Sequence, residues 1–353
     1  MATDSPVQQL IIIFVALVVG LSLQFGLQHY DTYYQYESTA AHKGNASSPH
    51  PAPSPLTASD AMDIDATNLL GPNIQEMSNT QIKEELKTRY AVTNVADCIE
   101  PGDLQRKLAT VRDTQPITYG LRYGTYLEIG NKKSATGIVT LSHGLGDSAR
   151  GWEDVGEELA QRLPYLLFLL PTAPNRPVTI NGGMAMPAWY DIRSMLSIGL
   201  RSGEQDSASL FQSVDYVRSM AHVAAKRYKI NPRRVVYAGF SQGAATSIAT
   251  ALTAHLAPAG AAIMSGYFAG LDDTLPKVVN RDVPFHFFHG SADNVVPLQA
   301  CKDSIEALAK DAKVTVPVAF KEYPGMMHAA CPQEVNDLEA FLRKVLPEKQ
   351  SGL

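Results

Sequence analysis

Two hydrophobic patterns alternate along the chain after residue 119. Short apolar runs are separated by stretches in which apolar residues recur every three or four positions. The runs are typical of buried strands and the stretches of amphipathic helices. Their alternation predicts an α/β domain over 119–348, with a mostly parallel sheet covered on both faces. The predicted strands are Ile138–Ser142, Leu166–Leu170, Val235–Ala238, Ala261–Ser265, Phe285–His289 and Val318–Tyr323.

A continuous apolar run opens the chain. Residues 5–30 contain no Asp, Glu, Lys or Arg, and 7–27 is long enough to cross a hydrocarbon core of about 30 Å as a helix. Four tyrosines follow, as in an interfacial belt. We expect a transmembrane helix over 7–27 and a single-pass membrane localisation. A cleaved signal peptide and a buried helix are the alternatives, although the segment lacks a basic start and an A-x-A site.

The next segment is rich in proline and small polar residues. Pro49, Pro51, Pro53 and Pro55 stand among Ser, Ala and Thr. Such a composition cannot bury a core and is typical of an extended linker. We expect a disordered tether over 28–70.

Two short helical patterns follow, over 78–112. Ser78 and Gln81 form a capping-box pattern, and Pro101 marks the start of a second helix. The apolar stripes of the two helices can close on each other; they are Ile82, Leu86 and Tyr90 in the first and Leu104, Leu108 and Val111 in the second. The sequence IKEELKTRYAVTNVADCIEPGDLQRKL resembles a SAP-like helical hairpin. SAP modules often bind nucleic acid, but six basic and five acidic residues in 81–112 leave no basic patch, so a protein partner or a structural role is favoured.

Composition narrows the class of protein. Hydrophobic residues make up 45% of the chain and charged residues 18%, which excludes global disorder. The net charge of -5 offers no general footprint for nucleic acid. The three cysteines lack C-x-x-C spacing, so neither a disulfide framework nor a zinc site is indicated.

The pentapeptide GFSQG at 239–243 matches the G-x-S-x-G nucleophile elbow. It follows a predicted strand and precedes a helical run, the context in which an elbow lifts a serine hydroxyl above the sheet. We therefore expect Ser241 to be a nucleophile. The alternative is a glycine-rich turn with an ordinary serine.

A serine nucleophile needs a histidine base and a carboxylate that orients it. Asp293 follows the predicted strand 285–289, and His328 follows the last predicted strand, so both come after Ser241 in the order serine, acid, histidine. We expect these three to be the catalytic residues. His286 and His289 could suggest a metal site, but no third ligand has suitable spacing, and no metal is expected.

Acyl transfer also requires backbone N–H donors for the oxyanion. The sequence predicts two of them, at Gln242 in the elbow and at Leu145 in the loop SHGLGD. A phosphate cradle or a simple turn is the alternative for this loop, but no G-x-G-x-x-G pattern follows.

Together these segments resemble the acyl-protein thioesterase and lysophospholipase family of α/β-hydrolases. The resemblance implies an α/β-hydrolase fold, no cofactor and a cytoplasmic catalytic domain. It implies removal of fatty acyl groups from S-acylated proteins, with lysophospholipids or other oxygen esters as the alternative substrates and a non-catalytic docking protein as the rival from another class. Met184, Met186, Pro187 and Trp189 are candidates for lining the acyl groove, or else ordinary core. The matching segments are LSHGLGDSARGW (141–152), PTAPNRPVTINGGMAMPAWYDI (171–192), GFSQGAA (239–245), HGSADNVVP (289–297) and YPGMMHAACPQE (323–334).

The chain departs from that family in two places. Ala244 replaces a usual glycine after the elbow, which we expect to affect helix packing only. The loop 193–206 is apolar where the family is usually acidic, and this leaves the preferred acyl length open.

Overall fold

The fold is described from a computed structural model over residues 70–194 and 206–348. The predicted transmembrane helix and all of the predicted tether except Leu70 lie outside these ranges, as does most of the apolar loop 193–206. The helices are α1 Asn79–Tyr90, α2 Asp103–Thr114, α3 Glu153–Arg162, α4 Ser207–Tyr228, α5 Gln242–Thr253, α6 Leu271–Thr274, α7 Leu298–Lys310 and α8 Pro332–Val345. The strands are β1 Leu127–Ile129, β2 Gly137–Ser142, β3 Leu166–Leu170, β4 Asn175–Val178, β5 Met184–Pro187, β6 Val235–Phe240, β7 Gly260–Met264, β8 Phe285–Gly290 and β9 Ala319–Tyr323.

Seven strands form the central sheet, in the order β1-β3-β2-β6-β7-β8-β9. β1 pairs antiparallel with β3 and every other pair is parallel. The predicted mostly parallel sheet is therefore confirmed. Its carboxyl edge, where ligands bind in such sheets, carries Ser142, Ser241 and the turn after Gly290.

Apolar side chains are buried on both faces of this sheet. One core layer packs α4, α5 and α7 against the strands, and the other packs α3 and α8. β2, β3 and β7 are buried along their whole length, which is why they appear in the sequence as unbroken apolar runs. The expectation of helices on both faces is confirmed.

Three strands were not predicted from the sequence. β1 is only three residues long and half-buried. β4 and β5 form a separate hairpin that contains two prolines and a Gly-Gly turn, a composition that argues against strands. These segments lack the long apolar runs that identify the other strands.

The two helices predicted before the α/β domain are α1 and α2. Ser78 caps α1 with the complete capping box to Gln81, whereas α2 begins two residues after Pro101. The apolar stripes meet in a small core of their own, which also buries Leu70 and Ile117. Leu70, the last residue of the predicted tether, is 1% exposed and belongs to this core.

A buried polar network joins these helices to α4. Arg112 is completely buried and pairs with Glu85 at 2.8 Å, while Arg89 pairs with Asp215 of α4 at 3.1 Å. The N–H of Ile117 donates to the hydroxyl of Ser219. Helices α1 and α2 are thus packed against the α/β domain through charged side chains that are largely removed from water.

The predicted membrane localisation is corrected. None of the helices within 70–194 and 206–348 is long and apolar enough to cross a bilayer, and the segment on which that prediction rested is not among the residues described. Apolar composition establishes that a segment would be stable in hydrocarbon, but it does not establish a spanning helix.

We expect Glu85→Ala to lower the free energy of unfolding by about 3–5 kcal/mol, because it leaves the buried Arg112 guanidinium without its carboxylate. Chemical denaturation measures the loss. Glu84→Ala, on the exposed face of the same helix, is the control and should change stability by less than about 0.5 kcal/mol. Equal effects of the two substitutions would contradict the assigned role of the ion pair.

Candidate active site

The backbone turns sharply where β6 meets α5. Ser241, between them, has φ 53° and ψ -118°, a conformation that costs a non-glycine residue about 1–3 kcal/mol. Its N–H donates to the carbonyl of Met264 on the neighbouring strand. The strained turn places the Ser241 side chain at the carboxyl edge of the sheet, as the elbow motif predicts.

This turn requires glycine at two positions, because neighbouring atoms leave no space there for a side chain. A Cβ at Gly239 would lie 2.5 Å from the carbonyl of Gly243. A Cβ at Gly243 would lie 2.2 Å from the carbonyl oxygen of Ser142 and 2.5 Å from that of His143. The first turn of α5 therefore lies directly against the end of β2.

Ser241, His328 and Asp293 form a hydrogen-bonded row. The Ser241 Oγ lies 2.9 Å from the Nε2 of His328, and the His328 Nδ1 lies 2.7 Å from the Oδ2 of Asp293. An ionised carboxylate can only accept, so Nδ1 donates to it and Nε2 is left to accept from the serine hydroxyl. The structure brings together the three predicted residues in the arrangement that a nucleophile, base and orienting acid require.

The carboxylate of Asp293 is buried and well supplied with donors. Its Oδ1 accepts from the N–H groups of Val295 and Val296, both at 2.9 Å. Burial alone would raise the pKa of Asp293, but the hydrogen bond and charge of His328, together with these N–H groups, lower it. Asp293 is therefore ionised, as an acid that orients a histidine must be.

His289 also contacts this carboxylate. Its Nε2 donates to the carbonyl of Val296 and lies 3.5 Å from Asp293 Oδ2. Burial lowers the pKa of His289, which favours its neutral form. His286 packs instead against the ring of Phe288. The two histidines therefore have different partners, which does not fit the shared metal site considered as an alternative.

The turn that carries Asp293 is fastened to the loop that carries His328. The N–H of Ala292 donates to the carbonyl of Met326, and the N–H of Gly325 donates to the hydroxyl of Ser291. A Cβ at Gly290 would lie 2.0 Å from the Met326 carbonyl oxygen. Glycine at 290 thus lets the two loops approach each other.

The loop of Leu145 is organised by a buried histidine. His143 donates from Nδ1 to the carbonyl of Gly144 and accepts at Nε2 from the N–H of Ala173. Burial lowers its pKa to about 4, so it is neutral and its tautomer is fixed by these two bonds. A Cβ at Gly144 would lie 3.4 Å from that of Ser241, so this loop runs beside the nucleophile.

The side chain of Gln242 fastens the elbow to the segment after β5. Its Oε1 accepts from the N–H of Trp189 and its Nε2 donates to the carbonyl of Tyr190. These bonds leave the Gln242 backbone N–H at the amino end of α5, where helix N–H groups attract negative charge.

The four predicted groove residues are placed differently from one another. Met184 is 63% exposed, and Met186 and Pro187 are half-buried on β5. The carbonyl of Pro187 accepts from the N–H of Gly146, which puts this strand against the loop of Leu145. Trp189 has no exposed surface and donates from Nε1 to the carbonyl of His143, so it belongs to the core beneath the site.

Sequence reasoning missed three residues around the site, namely His143, Phe240 and Glu334. His143 was visible as a histidine at the end of a buried strand, and Phe240 as the bulky residue of the elbow. Glu334 gave no signal, because an acidic residue in the first turn of a helix is commonly solvent-exposed and favourable there.

Glu334 is completely buried near the site. Neither carboxyl oxygen has a hydrogen-bond partner within 70–194 and 206–348. Burial raises its pKa to about 8, the nearby backbone N–H of Cys331 opposes this rise, and the charges of Asp337 and Asp293 add to it. The carboxyl is therefore neutral at pH 7.

We expect Glu334→Gln to stabilise the protein increasingly as the pH rises from 5 to 8. The folded state keeps a proton on Glu334 up to about pH 8, while the unfolded chain loses it near pH 4.5, so wild-type stability falls across this interval and levels off above it. The glutamine removes that penalty, by a few kcal/mol at pH 8.

Thermal unfolding at pH 5, 6, 7 and 8 measures this difference. Glu306→Gln, at an exposed position of α7, is the matched control and should not change the pH dependence. Parallel pH curves for wild type and Glu334→Gln would show that Glu334 is ionised in the folded protein.

Comparison with known proteins identifies relatives of the α/β domain. The phospholipase/carboxylesterase family model matches residues 126–346. Acyl-protein thioesterase 1 of Mycosarcoma maydis is 39% identical over 230 residues, which are 62% of this chain and 94% of that protein. The protein of the same name from Emericella nidulans is 35% identical over 230 residues, covering 62% and 95%.

A solved structure shows the same architecture. The crystal structure of Arabidopsis thaliana SOBER1 is matched with a TM-score of 0.54 and 27% identity, over 60% of this chain and 99% of that one. Together with the family match, this confirms the predicted α/β-hydrolase fold. The matched share leaves α1 and α2 outside the family model.

Proposed function

The chain belongs to the phospholipase/carboxylesterase family and is a hydrolase, and we propose that it removes fatty acyl groups from S-acylated cysteines of proteins. The proposal assigns Ser241 as nucleophile, His328 as base and Asp293 as the acid that orients the base. The observation that carries it is the row of hydrogen bonds joining these three side chains.

The first half of the reaction forms an acyl-enzyme. The Ser241 Oγ attacks the thioester carbonyl as its proton passes to the Nε2 of His328, and the ionised Asp293 stabilises the resulting imidazolium. The carbonyl oxygen becomes an oxyanion that the N–H groups of Leu145 and Gln242 stabilise. Collapse breaks the carbon–sulfur bond, and the cysteine sulfur leaves with the proton from His328.

The second half repeats the sequence with water. His328 takes a proton from a water molecule, which attacks the acyl-serine ester, and then returns that proton to the Ser241 oxygen as the fatty acid leaves. A thiol, with a pKa of about 8.5, is a far better leaving group than an alcohol. The first half is therefore easier on a thioester than on an oxygen ester.

Apolar residues beside the loop of Leu145 support a fatty acyl substrate. Met184, Met186 and Pro187 present side-chain surface on a strand that is bonded to the loop of Leu145. Each methylene buried there contributes about 0.8 kcal/mol. Trp189 contributes by supporting His143 from below rather than by contact with the acyl chain.

Hydrolysis of oxygen esters is the second candidate. The family that matches the chain is described by phospholipase and carboxylesterase activities, and the same row of side chains can attack either ester. The two candidates differ in the leaving group, so paired substrates distinguish them.

We expect the full-length chain to release palmitate faster from a peptide palmitoylated on cysteine than from the same peptide palmitoylated on serine. We expect Ser241→Ala to lower kcat on both by at least about 10³-fold, because removal of such a nucleophile removes the covalent pathway. Released fatty acid is measured over time by mass spectrometry.

Ser134→Ala, which changes an exposed serine before β2, is the matched control and should retain wild-type turnover. Faster release from the serine ester or from a lysophospholipid would favour the second candidate. Absence of Ser241-dependent release from all three substrates, in protein with a cooperative unfolding transition, would overturn the catalytic assignment and favour a docking role for the fold.

A further inference from the structure

The His328 ring is held by its covalent bond to Cβ and by hydrogen bonds at its two ring nitrogens. Nδ1 is bonded to Asp293 and Nε2 to Ser241. Small changes in the side-chain torsions tilt the ring and turn the Nε2 lone pair away from the serine hydroxyl. A packing contact with the ring opposes this tilt.

Phe240 supplies a contact of this kind. It is the last residue of β6 and directly precedes the nucleophile. Its ring centroid lies 4.8 Å from that of His328, with 43° between the planes. Phe240 is itself supported by Trp152, whose ring centroid lies 5.3 Å away at 41°. Trp152 is largely buried, so the phenyl ring packs against a buried indole as well as against the imidazole.

This geometry is also suited to a positive charge on the imidazole. The face of an aromatic ring attracts a cation within about 6 Å of its centroid, and the imidazole of His328 gains such a charge when it takes the proton of Ser241. An interaction that strengthens as the charge develops lowers the barrier rather than improving substrate binding.

We propose that Phe240 is a positioning residue that holds the imidazole of His328 against tilting and stabilises its protonated form. The proposal rests on the catalytic assignment of Ser241 and His328 made above. The elbow motif accepts any residue at the position before the nucleophile. The proposal assigns the residue at this position a part in the reaction.

The test compares Phe240→Leu, which keeps an apolar side chain but removes the aromatic face, with Phe240→Tyr, which keeps the face. Both variants keep the titratable groups next to His328, which are His289 on β8 and Asp293 in the turn after it. They also keep Glu334 on α8, which interacts with Asp293. If Phe240→Leu does not fold, Phe240→Met serves the same purpose.

Turnover of the palmitoyl-cysteine peptide is measured from pH 5 to 9. We expect Phe240→Leu to lower kcat about 5- to 30-fold with little change in KM, and to move the midpoint of the acidic limb to lower pH by up to about one unit, because the protonated imidazole loses stabilisation. Phe240→Tyr should restore the wild-type midpoint.

Phe341→Leu is the matched control. Phe341 packs edge-on against His286 on the same side of the sheet, with centroids 5.6 Å apart, so its loss disturbs an aromatic–histidine pair that has no part in the reaction. Phe341→Leu should leave the midpoint of the acidic limb of the pH profile at its wild-type value.

A folded Phe240→Leu variant with the wild-type midpoint and a lower rate would overturn the proposal, since a packing defect alone produces that result. An equal shift in Phe341→Leu would also overturn it. Wild-type protein without Ser241-dependent turnover would instead overturn the proposed function, so the two failures are distinguishable.

Discussion

The close approach of α5 to the end of β2 is the contact on which the site depends. Two carbonyl oxygens, of the end of β2 and of the loop that follows it, lie so close to Gly243 that only glycine fits there. This packing brings the amino end of α5, directly after the strained Ser241, beside the loop of Leu145. The strained conformation of Ser241 persists because the surrounding structure holds the turn in place. That structure consists of the parallel strands on either side of β6 and the fully buried helix α5.

Three buried ionisable groups near the site differ in protonation state. His143 and Glu334 are neutral, whereas Asp293 is ionised. His143 is neutral because burial opposes its charge. Asp293 is ionised because a histidine and two N–H groups outweigh its burial. Glu334 is neutral because burial opposes its charge and the charges of Asp337 and Asp293 add to this effect. Groups of the same chemical type thus take different roles through their surroundings. Only the ionised carboxylate lies in the row with His328.

Periodicity predicted the parts of the fold that are buried on both faces, and motif order placed the serine, acid and histidine on one edge of the sheet. The β4–β5 hairpin was missed because its prolines and glycines carry no strand pattern. Trp189 was a groove candidate with the core as the alternative, and it lies in the core. The burial of Glu334 was missed because burial depends on what other elements pack against a residue. The membrane localisation was wrong; it was inferred from the length, apolar composition and flanks of one segment. Leu70, assigned to the tether, is buried because the hairpin core extends to it.

The central claim is that Ser241 is activated by its neighbours, and a serine-directed phosphonofluoridate tests it most directly. The serine oxygen displaces fluoride from phosphorus, so an activated serine gains one stable adduct. Intact mass followed by peptide mapping should show a single adduct on the peptide that contains Ser241, formed only in folded protein. No adduct on the folded protein, or one on another serine, would contradict the account.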